Sequence, residues 1–427
     1  MGFTMSEKIM AMASANDGIN VHADDIIWVR ISKAMMDDVL GPRLEIDDIL
    51  TDLNASIWDK DRVVIISDHY TPPANVNQAD IVKFTRDWAN THQVDHYYEF
   101  AGPCHQVMVE KGHVLPGEII VGTDSHTCTY GALAALGTGV GSTEMAGVLA
   151  TGITWMKVPR TIKAQWHGDL NAMVMAKDIS LKTISVLGHA GATYKTIEYC
   201  GETIDSLIMD ERLCLSNMAV EAGAKAGLIR YDAITAAYLE KFGVTETFEH
   251  INPDEDANYE TVLSFDAQEL VPQVACPHEV DNVKAVSDVS HVAIHQAYIG
   301  SCTGGRYNDL LAAATLLEGK TIAKGIRLLV SPASKEVYDR CLKEGILTIL
   351  ADAGATILAS SCGACLGIHS GTLASGEVCI STTNRNFLGR MGSKSSEVYL
   401  ASPLTVAASA VTGYITDPNA ISGGIND

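Results

Sequence analysis

Positive charge is scarce in this sequence: 30 Lys and Arg stand against 52 Asp and Glu in 427 residues, a formal net charge of −22. Binding to nucleic acid needs a basic footprint that displaces counterions, and no stretch of the chain offers one. An acidic total leaves an anionic substrate open, because a site is made by local groups and not by the sum. Long apolar runs are missing too: no stretch of about 18 apolar residues occurs, so no membrane span is expected. The opening Met1-Gly2-Phe3-Thr4-Met5-Ser6-Glu7-Lys8 lacks the apolar segment of a secretory signal, which points to a cytoplasmic protein. Aromatics are few, at 6%. The 10 Cys of so large a chain, without such a signal, read as thiols or metal ligands and not as a disulfide framework.

What is present is Gly, at 36 residues, set between runs of Val, Ile and Ala. That alternation suits an α/β protein with many tight strand–helix junctions. The length exceeds what one hydrophobic core organises, so roughly two to three lobes are expected. The reading adopted is three, over 1–160, 161–285 and 286–427. Arg62–Ser67 and Thr161–Trp166 read as strands and Asn75–Tyr98 as a helix leading into a turn. Pro272–Asp288, where Pro, His and acidic residues cluster, reads as a connector. Beyond it the pattern alternates again, with strands at Val292–Ile299 and Ile326–Ser331 and helices at Leu310–Glu318 and Lys335–Gly345.

Five short regions carry chemistry. Ser361-Cys362-Gly363-Ala364-Cys365 places two thiols at C-x2-C spacing, able to ligate one centre from a single turn. The same spacing serves a zinc half-site or a buried Cys pair, although no second C-x2-C exists in the chain. Ile299-Gly300-Ser301-Cys302-Thr303 ends an apolar strand in a small-residue turn holding one more Cys. Sites in α/β folds form at such strand ends. Three thiols on a cubane cluster would leave one iron open to act as a Lewis acid, unlike a four-Cys electron carrier. Gly122-Thr123-Asp124-Ser125-His126 and Ser67-Asp68-His69 each put an acid beside an imidazole directly after a strand, an arrangement that orients the ring and raises its basicity. Asp124 could equally cap a helix, with His126 incidental. His105 is a weak signal alone. Asn384-Arg385-Asn386 with Arg390 could hold carboxylates by bidentate contacts, or lie solvated on the surface.

Taken together and in this order, Val121–Thr127, Ser301-Cys302-Thr303, Cys362-Gly363-Ala364-Cys365 and Asn384-Arg385-Asn386-Phe387 resemble the aconitase superfamily. Within it the chain is most similar to the large subunits of the 3-isopropylmalate dehydratase group, from Met5 to Pro403. The resemblance implies three α/β domains of the aconitase type around a [4Fe-4S] cluster, without the swivelling fourth domain. It implies Cys302, Cys362 and Cys365 as cluster ligands and Asp68-His69 as the pair that protonates a departing hydroxyl. His105, Asp124 and His126 would line the cluster and its water, with Asn217 and Glu221 nearby. Arg385 and Arg390 would bind substrate carboxylates, beside Ser125 and Asn384. The activity implied is a hydro-lyase acting on a small hydroxy-dicarboxylic acid. 3-Isopropylmalate is the first candidate, ahead of homoaconitate, 2,3-dimethylmalate, citraconate and maleate. The base on the opposite face, a Ser of the missing domain, is expected on a separate small subunit. The competing classes are an iron–sulfur protein without hydro-lyase activity and a zinc module. The chain departs from the group at Met12–Asn16, at Met36-Asp37-Asp38, at Leu187–Ala190, and at Gly304, where an Asn is usual. These differences bear on substrate identity and not on the ligands.

Overall fold

A computed structural model describes residues 2–16, 20–43 and 45–422. The chain divides into two compact units. The first comprises Met1–Glu99, Cys104–His167 and Ala190–Phe265. Its larger sheet has five strands in the order Tyr97–Glu99, Val63–Ser67, Lys33–Asp37, Ile119–Gly122, Leu136–Gly139. All neighbours run parallel. A parallel sheet is covered on both faces, so its inner strands must be apolar throughout; all five residues of Val63–Ser67 are buried accordingly.

The helix after that strand spans Val76–His92. The Asn75 side chain caps its start by accepting from the Gln78 backbone N–H, and Gln93, at φ 55°, ends it. The helix therefore stops short of the expected Tyr98. Tyr97–Glu99 turns extended and joins the sheet edge.

A second sheet of this unit runs Ala226–Ile229, Lys195–Cys200, Arg160–His167, followed by a strand beginning at Thr261. The first three are parallel. Trp166 is buried there, with Phe265 stacked on it at 4.4 Å. A separate antiparallel ribbon pairs Ile26–Arg30 with Ile153–Lys157 and sets Trp28 opposite Trp155. These two rings are 51% and 54% exposed.

The second unit comprises Phe100–Pro103, Gly168–His189 and Asp266–Asp427. Its sheet has seven strands, ordered Val283–Ala285, Gln273–Ala275, Glu397–Ala401, Val378–Ser381, Gln296–Ile299, Arg327–Val330, Thr356–Ile357. The last five are mutually parallel, over a core that includes Leu310, Leu317, Leu328 and Val406. The expected connector at 272–288 is instead an antiparallel pair that extends this sheet along Glu397–Ala401. Asn386 secures the turn, its Nδ2 donating to the Cys276 and Glu279 carbonyls at 2.8 and 3.2 Å. The remaining expectations here fall on observed elements: helices at Tyr307–Leu317 and Lys335–Lys343, strands at Gln296–Ile299 and Arg327–Val330. Among the described residues no helix is long and apolar enough to cross a membrane.

Candidate active site

In the first unit the chemistry sits at the carboxyl ends of three adjacent parallel strands, where open α/β sheets place their sites. Asp37 closes Lys33–Asp37 and Asp38 follows it. Asp68-His69 follows Val63–Ser67, and Asp124–His126 follows Ile119–Gly122. Asp68 Oδ1 lies 2.7 Å from His69 Nδ1, and Asp38 Oδ1 lies 3.4 Å from the same nitrogen. All three side chains are buried. Burial opposes charging the imidazole. The charge of Asp68, hydrogen bonds to Asp38 and Asp68, and the charge of Asp37 outweigh it, and the His69 pKa stands well above the ordinary range. Asp68 also accepts the Cys104 backbone N–H at Oδ2, 2.6 Å away. Burial pushes the Asp37 carboxyl up, against the pull of His69. Thr123 Oγ1 donates to Asp37 at 2.6 Å.

A second imidazole chain lies in the same unit. His105 Nε2 is 2.8 Å from Asp124 Oδ1, and His126 meets that oxygen with Nδ1 at 3.3 Å. His126 Nε2 faces Glu221 Oε1 at 2.8 Å. Burial would raise the Asp124 pKa, yet the two imidazoles hold it well below the carboxylate range. Nδ1 of His105 is buried with no hydrogen-bond partner among the described residues. Glu221 rides on the short turn Ala219–Ala222 after the helix Met209–Met218. On that helix Asn217 is fully buried, and its Nδ2 donates to Thr129 Oγ1 at 2.8 Å. Ser125 Oγ stands 3.5 Å from His126 Nδ1.

In the second unit the thiols again follow parallel strands. Cys302 comes after Gln296–Ile299, Cys362 and Cys365 after Thr356–Ile357, and Asn384 after Val378–Ser381. One carboxamide ties them: Asn384 Nδ2 donates to Cys302 Sγ at 3.5 Å, and Cys365 Sγ donates to Asn384 Oδ1 at 3.5 Å. Ser301 Oγ also donates to that oxygen, at 3.1 Å. Ser301 has φ 71°, so the chain turns sharply into Cys302. Burial raises the Cys302 pKa, while the Asn384 hydrogen bond works the other way. Gly304 lies against the Thr382 side chain with no room for a Cβ. Gly363 is packed as closely against the His369 ring. Lys177 is buried and donates to the Thr382 and Thr383 carbonyls at 3.3 and 2.7 Å, fixing the loop that delivers Asn384. Sequence reading passed over Lys177 and marked Asp38 only within a departure from the group: neither lies in a spacing pattern of its own. Arg385 lies 5.8 Å from the Phe387 ring. Arg390 is half-buried, with Nε lacking a hydrogen-bond partner among the described residues.

The model of the aconitase family (aconitate hydratase) matches residues 54–291 and 282–413. The chain belongs to the aconitase family. This aconitase-family hydro-lyase is 48% identical over 423 residues to the 3-isopropylmalate dehydratase large subunit 1 of Methanopyrus kandleri, covering 98% of this chain and 99% of that protein. It is 45% identical to the corresponding large subunit of Halothermothrix orenii, over 99% of this chain and 100% of that protein. The probable large subunit of Methanothermobacter thermautotrophicus is 44% identical, with 99% and 100% coverage. Among solved structures, aconitase X of Thermococcus kodakaraensis in its holo form aligns with a TM-score of 0.47 at 12% identity, over 84% of each chain.

Membership of the aconitase family implies an iron–sulfur cluster. The donor set fits one: Cys302, Cys362 and Cys365 stand free of disulfides, and two of them converge on Asn384.

Proposed function

We propose that this chain is the large, catalytic subunit of a hydro-lyase that dehydrates and rehydrates 3-isopropylmalate, in leucine biosynthesis in the cytoplasm. The observation that carries the reading is identity of 44–48% to three large subunits of that name over essentially the whole of each chain. Cys302, Cys362 and Cys365 would hold a [4Fe-4S] cluster, with Asn384 Nδ2 donating to the Cys302 sulfur. When bound, such a cluster supplies an iron not held by Cys, a Lewis acid toward the substrate hydroxyl.

The protein's own residues handle the protons and the carboxylates. His69, charged by its paired carboxylates, donates a proton to the departing hydroxyl through Nε2. The chain His105–Asp124–His126–Glu221, with Ser125, orders the water that leaves. Arg385 and Arg390 take the substrate carboxylates, and the orphaned Nε of Arg390 is a donor of the right kind. Asn217 supports this wall from Thr129. The proton next to the carboxylate needs a base on the other face, supplied by a small subunit that carries the swivelling domain.

The test is reconstitution. The chain, purified without oxygen together with its small subunit, is assayed on 3-isopropylmalate, homoaconitate, 2,3-dimethylmalate, citraconate and maleate. Preferential turnover of 3-isopropylmalate is expected, with iron lost in Cys302→Ser. Preference for another of these acids, or full iron retention in each single Cys→Ser variant, would overturn the assignment.

A further inference from the structure

We propose that Asp38 is a positioning residue for His69: a second buried carboxylate that fixes the imidazole and the turn bearing it, so that the ring is held ready to donate. The inference rests on the role given to His69 above. Asp68 has an obvious claim on the ring, being its neighbour in sequence. Asp38 lies 31 residues away from His69 in sequence, yet its carboxylate meets both the ring and the backbone of this turn. Its Oδ1 accepts the His69 backbone N–H at 3.0 Å and approaches the Asp68 N–H at 3.4 Å. Its Oδ2 accepts the Tyr70 N–H at 3.0 Å. The same Oδ1 lies 3.4 Å from His69 Nδ1.

Asp38 is 0% exposed. A carboxylate sealed from water persists only where hydrogen bonds or opposite charge satisfy it, and here the backbone donors and the imidazole do so. The geometry follows from the sheet. Lys33–Asp37 and Val63–Ser67 are parallel neighbours, so the residues just past their carboxyl ends emerge side by side. Asp38 is the first residue past one end and Asp68-His69 the first two past the other. With two carboxylates on Nδ1 and the backbone amides of the turn anchored to the second, the ring can neither flip nor swing without breaking buried hydrogen bonds. A turn held by Asp68 alone would leave the backbone of residues 69 and 70 without these acceptors.

The experiment uses the holoenzyme with its small subunit and measures kcat, KM and iron content for Asp38→Asn, His69→Ala and the double variant. Asp38→Asn is expected to lower kcat about ten- to hundred-fold, the scale seen when an outer partner of a functional His is removed. KM should stay within about two-fold and iron content unchanged, since the amide alters the ring's support and not the cluster or the carboxylate binders. In the His69→Ala background the same substitution should change kcat less than about two-fold, because a residue acting through His69 has nothing left to act on. Near-normal turnover in His69→Ala overturns the parent reading, and this one with it. A normal drop in His69→Ala with Asp38→Asn near wild type, or an equal loss in both backgrounds, overturns only the positioning role. If Asp38→Asn does not fold, Asp38→Ser, which keeps one acceptor oxygen with less bulk, is read the same way. Failure of both to fold assigns Asp38 to the fold alone and overturns the inference.

Discussion

His126 Nε2 and Glu221 Oε1 stand 2.8 Å apart, although 95 residues separate them in sequence. Both are buried, at 5% exposure each. With Asp124 on Nδ1, the ring of His126 is held from both sides, and its tautomer is set by which carboxylate takes the proton. Glu221→Gln keeps the shape and removes the charge. Turnover should fall about ten- to hundred-fold while the thermal midpoint moves by only a few degrees. Steady-state kinetics beside calorimetry on the same preparation checks this; unchanged turnover would remove Glu221 from the site.

Gly304 has no room for a side chain. Any side chain there meets Thr382, whose Oγ1 accepts the Gly300 N–H at 2.9 Å and donates to the Gly300 carbonyl at 2.9 Å. Gly304→Ala must therefore push Thr382 away and disturb the turn into Cys302. The variant should hold less iron after anaerobic reconstitution and lose about 1–3 kcal/mol in denaturant unfolding, the usual range for overpacking. Full iron occupancy with wild-type stability would show that the turn has slack.

Glu198 supplies a pH dependence unconnected with catalysis. It is fully buried, its two oxygens taken by the Met5 backbone N–H and the Tyr259 hydroxyl, and burial pushes its pKa up to about 7. A carboxyl whose pKa is higher folded than unfolded binds more protons in the native state across the interval between the two values. Its contribution to stability is complete below the unfolded value of about 4 and is lost as pH rises toward 7. Glu198→Gln keeps an acceptor for the Met5 N–H, turns the Tyr259 hydroxyl into the acceptor of the other contact, and cannot ionise. The denaturation midpoint of the variant should fall less between pH 5 and pH 8 than that of the wild type. Parallel slopes would refute the assignment.

Much of the candidate site was legible because its residue types lie at strand ends. Asp68-His69, Asp124–His126, Cys302 and Cys362/Cys365 each follow an apolar run, and each run is a parallel strand. What stayed hidden was pairing over distance. Nothing near Asp38 announces His69, and nothing near Lys177 announces the carbonyls of Thr382 and Thr383, 205 and 206 residues on. The segment 272–288 misled because its Pro and acidic residues mark the turn of a hairpin as readily as a linker, and only the free edge of Glu397–Ala401 decides between them. The helix from Val76 was read too long because Gln93 carries no mark of a stop. Residues other than Gly and Asn seldom take the left-handed backbone that ends the helix there.

The ribbon that sets Trp28 against Trp155 makes the chain its own optical probe. Of the 5 Trp, Trp88 and Trp166 are buried at 5% and 1% exposure, whereas the ribbon pair is more than half open to water. Emission from the two environments will differ in wavelength, and an aqueous quencher such as iodide will reach the ribbon indoles first. With the partly exposed Trp58 replaced by Phe, the red-shifted, quenchable part of the fluorescence reports the state of one antiparallel pair of strands, separately from the buried indoles.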